Sequence, residues 1–260
     1  MQRRALVVAL GGVALVALIG ALVRVRESAC DPGFSRQGPR CMPEGCPAPL
    51  AMIDGVCDAP DVRVSFPETH FKINTNDWEE IAQGVEPPFH VDAKAFSIDA
   101  FEVTNGHLHH AREDAARAAS NVTLAEAESY CGSKGGRLPT ESEWFVVAGS
   151  EKDRRYPWGE TGAVCRRAAW GLVNGPCAKG ADGPDTVGAH ESGDTDRGVH
   201  DLAGNVAEWI HSPEGLVAGF VRGGSYKTAL ATELRTWSLA QPPRDTRDPA
   251  IGFRCAYDAK

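Results

Sequence analysis

The sequence predicts a mixed α+β domain rich in irregular structure, and three observations carry that expectation. Residues 96–103 and 251–257 read as strands, two Thr-x-x-Glu pairs mark helix starts, and residues 145–220 are dominated by Gly, Pro, Asp and Trp with few periodic runs.

The first element is an apolar run, residues 5–23, preceded by Arg3 and Arg4 and followed directly by Arg24, Arg26 and Glu27. At about 1.5 Å per residue a helix of this length crosses a hydrocarbon core. Charges rather than small residues follow it, which favours an uncleaved anchor over a cleaved leader, so residues 1–26 are expected to form a transmembrane anchor or signal segment. Ser28-Ala29-Cys30 is a poor lipoprotein cleavage box, because Glu27 stands where an apolar residue belongs. Arginines on both flanks leave the orientation to be set by the cysteines.

Residues 27–60 carry Cys30, Cys41, Cys46 and Cys57 among Pro and Gly, with little apolar material for a core. This reads as a disulfide-stapled stalk outside the cytoplasm, with three possible pairings. The close-paired ligand spacings of a zinc site are missing. A formal net charge of −8 argues against a nucleic-acid or anionic-membrane surface.

Residues 61–260 form the main domain. After the strand FSIDAFEV (96–103), Thr104 is placed to cap a helical segment from Asn105 to about Ala119. Thr123 with Glu126, and Thr140 with Glu143, are capping boxes, in which hydroxyl and carboxylate satisfy orphan amides of the first turn. Leu124, Ala127 and Cys131 share one face of the helix after Thr123, and IGFRCAY (251–257) alternates so that Cys255 points inward. A Cys131–Cys255 bridge would tie the middle of the domain to its end and stabilise it by about 4 kcal/mol. Cys165 and Cys177 flank an Asn174-Gly175 turn and are the remaining pair.

Five stretches in order, FEVTN (101–105), GGRLPTESEW (135–144), YPWGE (156–160), VHDLAGNVAEW (199–209), and RGGSY (222–226) with GFRCA (252–256), resemble the formylglycine-generating enzyme, or sulfatase-modifying factor, family. The resemblance covers about residues 48–258. It implies a C-type lectin-like fold with a small antiparallel sheet, two helices and much irregular structure fixed by calcium and disulfides, including a Cys131–Cys255 bridge. Enzymes of this family oxidise a sulfatase cysteine to formylglycine with molecular oxygen and copper held by two cysteines. The matching positions here are Thr228 and Glu233. A hydroxyl and a carboxylate are hard donors with little affinity for copper(I), so copper is not expected. Ala148 and Ser238 stand where some relatives have a further disulfide.

The resemblance also implies a calcium site from the Asp201 and Glu208 side chains and the Gly204 and Val206 carbonyls, an oxygen set suited to a hard cation. A second calcium loop near Asp182 or Asp185 matches poorly, and an Asp-Gly turn explains it better. His107, His110 and Asp114 share a face of the expected helix, as metal ligands or as a solvated polar stripe. Trp158, Trp170, Trp209 and Trp237 read as groove lining or, for most, as core. Arg222 and Arg254 read as ties to carboxylates. Asn121-Val122-Thr123 is a glycosylation acceptor whose Thr is better used as a helix cap. The expectation is a membrane-anchored extracytoplasmic protein carrying a calcium-stabilised binding or accessory module for an envelope protein, peptide or glycan. The rival is a metal-dependent oxidoreductase working through a non-cysteine site, with Glu233 as base near Arg235 or Trp237.

Overall fold

The computed structural model describes residues 34–37, 40–43, 45–72, 90–149 and 154–259. The chain divides into two compact units, Met1–Gly45 and Cys46–Lys260. In the first, β1 (Phe34–Gln37) pairs antiparallel with β2 (Arg40–Pro43). The apolar run at residues 5–23, Cys30 and the side chain of Cys41 lie outside the described residues. Among the described residues no helix is long and apolar enough to cross a membrane.

The second unit reaches further toward the amino terminus than composition indicates. A Cys46–Cys57 disulfide encloses β3 (Ala51–Ile53) and joins it to β4 (Val56–Asp58) in a hairpin. Immediately after it, Ala59 is fully buried against Ala100, Phe101, Ala118, Val187 and Val206. Ala59 therefore belongs to the domain core, and the compact unit that contains it begins at Cys46.

Next come β5 (Arg63–Phe66), β6 (Thr69–Lys72), β7 (His90–Ala93) and β8 (Phe96–Asp99), with β6 and β7 forming a hairpin. Thr104 caps α1 (Asn105–His109) by accepting from the His107 amide, but the helix stops there, far short of Ala119. His110 adopts the left-handed conformation, and the chain folds back so that the Asn105 amide donates to the Arg117 carbonyl. Gly106 permits this return, since a Cβ there would meet the Asp58 carboxylate and Ala115. His107, His110 and Asp114 consequently share no helix face, which corrects the expected ligand stripe.

Both capping boxes form as the sequence predicts, opening α2 (Leu124–Ser133) at Thr123 and α3 (Glu141–Ala148) at Thr140. Each hydroxyl-to-amide cap contributes about 1 kcal/mol. Leu124, Ala127 and Cys131 form the buried face of α2, and Cys131 is bridged to Cys255. Cys165 is bridged to Cys177.

The last strands are β9 (Ala207–Ile210), β10 (Phe220–Arg222), β11 (Leu239–Ala240), β12 (Ile251–Gly252) and β13 (Ala256–Asp258). One sheet runs β11-β10-β9-β12, antiparallel except for β12, which lies parallel to β9. The other runs β13-β8-β5, all antiparallel. The segment 251–257, expected to be one alternating strand, is instead split: it leaves one sheet after Gly252 and enters the other at Ala256. At the crossing Arg254 is completely buried, so both faces of the segment face protein. Trp144, Phe145 and Ile210 pack beneath Phe96 and Ile98, while Trp209, Val221 and Phe253 pack on α2. Each fully buried large side chain contributes about 1.5–3 kcal/mol.

Candidate functional site: an open cleft over a buried polar lock

The loop 199–208 is built around left-handed backbone at Asp201, Gly204 and Asn205. Gly204 is obligatory, because a Cβ would lie 2.5 Å from the Ala169 carbonyl. The curl points polar groups into the interior. Asp201 Oδ2 accepts from the Gly188 amide, and the Asn205 amide group donates to Glu102 while its Oδ1 accepts from the Asp185 amide. Glu102 Oε1 takes the Val206 amide at 3.1 Å. Glu208 receives Arg254 in a bidentate pair, Nε to Oε2 at 2.8 Å and Nη2 to Oε1 at 2.7 Å. Arg254 spends its other donors on the carbonyls of Asp99, Ala100 and His200.

Three buried carboxylates, Glu102, Asp201 and Glu208, thus share one guanidinium. Burial holds each above the usual carboxylate range, most strongly Glu102, which is also repelled by Asp201 and Glu208. The buried carbonyls of Gly204 and Val206 receive no backbone hydrogen bond among the described residues, which leaves them available as oxygen ligands beside Asp201. Asp201 and the two carbonyls are oxygen donors of the kind a hard cation takes, whereas both Glu208 oxygens already accept from Arg254, so Glu208 would join them only by giving up that pair. No group of three His, Cys, Asp or Glu side chains converges on a metal position among the described residues.

Asp185 pairs instead with His190 and Lys179, which hold its carboxyl well below the ordinary range. It belongs to a charged tie, and Asp182 is separately paired with Arg117 at 3.3 Å. Trp209 and Trp170 are core residues, and Trp209 Nε1 donates to the Val122 carbonyl. Trp158 stacks on Tyr156, and Trp237 packs at the edge of the main core, so the four indoles do not line one groove.

The cleft begins where β10 ends. Arg222 is buried there, ion-paired with Glu141 and donating to the Trp237 carbonyl. Gly223 and Gly224 follow with positive φ; a Cβ on Gly223 would press on the Leu202 carbonyl, and one on Gly224 on Leu234 and the Glu233 carbonyl. This forced turn sends residues 225–233 over the sheet. Thr228 Oγ1 accepts from the Ser225 amide, and Glu233 sits exposed on a short 3-10 turn, Ala231–Leu234.

Thr228 and Glu233 line the same open cleft of about 380 Å³. Its floor takes Ala240, Val221, Ala207 and Ile251, one residue from each strand of the four-stranded sheet. Lys227 and Asp248 also line it and are ion-paired at 3.0 Å. The cleft is joined to the lock below it: the Gly204 amide donates to the Gly223 carbonyl, and the Tyr226 amide to the Asn205 carbonyl.

Sequence reasoning missed Glu102 and Asn205 as members of the lock and the Lys227–Asp248 pair as a wall of the cleft. Glu102 left a signal, a lone carboxylate between Phe101 and Val103 in a stretch otherwise reading as buried. The pair at Lys227 and Asp248 left none, being far apart in sequence.

The description "sulfatase-modifying factor enzyme 1-like domain" matches residues 56–259. The inactive C-alpha-formylglycine-generating enzyme 2 of Mus musculus is 35% identical over 150 residues, 54% of this chain and 48% of that protein. The hercynine oxygenase of Mycolicibacterium thermoresistibile is 32% identical over 168 residues, 53% of this chain and 35% of that protein. The formylglycine-generating enzyme of Streptomyces coelicolor is 29% identical over 163 residues, 54% of this chain and 52% of that one. The chain thus spans about half or less of the length of these relatives. Two solved structures share the fold: PvdO from Pseudomonas aeruginosa (TM-score 0.63, 20% identity, 76% of this chain and 94% of that one) and Treponema denticola variable protein 1 (TM-score 0.62, 18% identity, 76% and 95%).

Proposed function

We propose, from the premise that the chain belongs to the sulfatase-modifying factor enzyme 1-like family, that it is a calcium-stabilised binding or accessory module without copper-dependent oxidase activity. One observation carries the reading: Thr228 and Glu233, which stand where the family's copper thiolates are implied, face an accessible cleft. The cleft is therefore open to a ligand but presents oxygen donors, which hold copper(I) poorly. Its apolar floor and charged rim suit a segment of an envelope protein, a peptide or a glycan. The disulfides Cys46–Cys57, Cys131–Cys255 and Cys165–Cys177, with the apolar run at residues 5–23, support a membrane-anchored, extracytoplasmic setting.

The likeness to hercynine oxygenase favours a second reading, a metal-dependent oxidoreductase acting on a peptide or small molecule through the same cleft. One experiment separates the two. Purified protein is analysed for bound metals and supplied with a cysteine-containing sulfatase peptide while oxygen uptake is recorded. Calcium with no oxygen uptake is the expected result. Stoichiometric copper or iron with turnover replaces the binding module by the enzyme. Calcium itself is checked by chelation, which is expected to lower the melting temperature reversibly, because an ion bound only by the folded state stabilises it.

A further inference from the structure

The disulfides of the described residues are unequally guarded. Cys131 and Cys255 are completely buried, and Cys46 and Cys57 are both half-buried. Cys165 is exposed, and the contact of its sulfur with the Pro176 carbonyl, at 3.8 Å, lies at the surface. Arg166, the next residue, is exposed as well. Positive charge beside a sulfur favours its thiolate and attracts an incoming thiolate.

The other half of this bond sits behind the cleft. Cys177 is half-buried and packs against two apolar clusters, one holding Leu234 and the other holding Tyr226 and Ala250. Ala250 lines the cleft, and Tyr226 lies between two further lining residues, Ser225 and Lys227. The loop that the disulfide closes reaches the same place through its backbone: the Leu172 amide donates to the Tyr226 carbonyl, and the Ala169 carbonyl accepts from the Asn205 amide, each at 2.8 Å. The loop is tight, since a Cβ on Gly175 would lie 2.5 Å from the Gly171 Cα. One sulfur thus faces solvent, while its partner and the enclosed chain support the cleft wall from behind.

We propose that Cys165–Cys177 is a thiol–disulfide exchange site, opened by an external dithiol and coupled to the cleft. One thiolate of the dithiol attacks Cys165 Sγ; a mixed disulfide forms there, the Cys165–Cys177 bond breaks, and Cys177 leaves as a thiolate that takes a proton from solvent. The second thiolate of the dithiol then attacks the dithiol-derived sulfur of the mixed disulfide and releases Cys165. Two electrons and two protons pass from the dithiol to the cysteines, and the dithiol departs as a disulfide. Cys165 is the sulfur attacked because both clusters shield Cys177. Opening the bond frees the chain that carries Ala169 and Leu172 and so loosens the wall at Tyr226. The link to binding rests on the role proposed for the cleft, whereas the exchange chemistry does not.

The test treats the folded full chain with dithiothreitol, quenches with an alkylating agent at intervals, and locates the alkylated cysteines by peptide mass spectrometry. Cys165 and Cys177 are expected to be alkylated at least about ten-fold faster than Cys131 and Cys255, whose reduction requires the core to open. Amide hydrogen exchange of the selectively opened protein is expected to rise at Leu172, Asn205 and Tyr226 and to stay unchanged in α2. The double variant Cys165→Ser, Cys177→Ser is expected to show the same rise without any reductant. Reduction of Cys165–Cys177 no faster than that of Cys131–Cys255 overturns the proposal. So does unchanged exchange at Tyr226 in the opened protein. These readouts need no cleft ligand, so a failure of the binding reading is seen separately, in the metal and oxygen measurements.

Discussion

The lock around Asp201–Glu208 and the cleft at Thr228 and Glu233 are held together by hydrogen bonds at Gly204 and Asn205, yet they are built in opposite ways. In the lock every side chain is buried and most polar atoms have a named partner, so removing one group strands another. In the cleft Glu233 is exposed, and Thr228 satisfies only the nearby Ser225 amide. Replacing a lock residue therefore carries the desolvation penalty of its partner, whereas replacing a cleft residue exchanges one hydrated group for another. The difference shows how a fold of this family can keep its scaffold while its thiol positions carry other chemistry.

The sharpest way to break the comparison is Arg254→Met. Glu208 would be left buried and unpaired, and the Asp99, Ala100 and His200 carbonyls would lose a donor. A loss of about 3–5 kcal/mol is expected in chemical denaturation, enough to leave much of the protein unfolded. A variant as stable as the parent would show that the lock is not interdependent.

Next in size is the pair Cys131→Ala with Cys255→Ala, which opens a crosslink spanning 124 residues. A destabilisation of about 2–5 kcal/mol is expected, with the denaturation slope rising as the unfolded chain expands. The scaffold would weaken as a whole, and the cleft would lose ligand only in proportion to the unfolded fraction.

Asp99 gives a smaller effect of opposite sign. Its folded carboxyl titrates at about 6 against an ordinary 3.8. The folded state therefore holds this proton more tightly, and stability is lost as pH rises from about 4 through 6. Asp99→Asn removes that loss. Relative to the parent it is expected to gain about 2 kcal/mol between pH 4 and pH 7.5, read from paired melting curves. A constant difference across that range would place the carboxylate in a better-satisfied environment.

Legibility in the sequence follows the same division. Local rules were readable: Thr123 and Thr140 cap their helices, and Leu124, Ala127 and Cys131 face inward. These depend on neighbours within one turn of chain. The helix expected to run to Ala119 ended at His109 because the return of Arg117 to Asn105 and the closeness of Asp58 to Gly106 are tertiary contacts that periodicity does not encode. The strand break at Phe253–Cys255 has the same origin, since Arg254 is drawn inward by Glu208. The cleft positions Thr228 and Glu233 were found through family motifs, while their shared place in the wall of a cleft over a four-strand floor emerged only from the fold.

Glu233→Gln tests the cleft side of the comparison with the smallest structural change. Glu233 is exposed and its exchange for Gln keeps size and shape, so the melting temperature is expected to stay within the range of an ordinary surface substitution, about ±0.5 kcal/mol. Ligand capture is a different quantity. Asp248 is already tied to Lys227, which leaves Glu233 as the carboxylate of the cleft wall without such a pairing among the described residues. A basic ligand should therefore lose affinity by about three- to ten-fold at low salt, and the loss should shrink at high salt as exposed charges are screened. If Glu233→Gln instead destabilises the fold by several kcal/mol, the cleft is as interlocked as the lock, and its divergence from the thiol pair then requires compensating changes elsewhere in the chain.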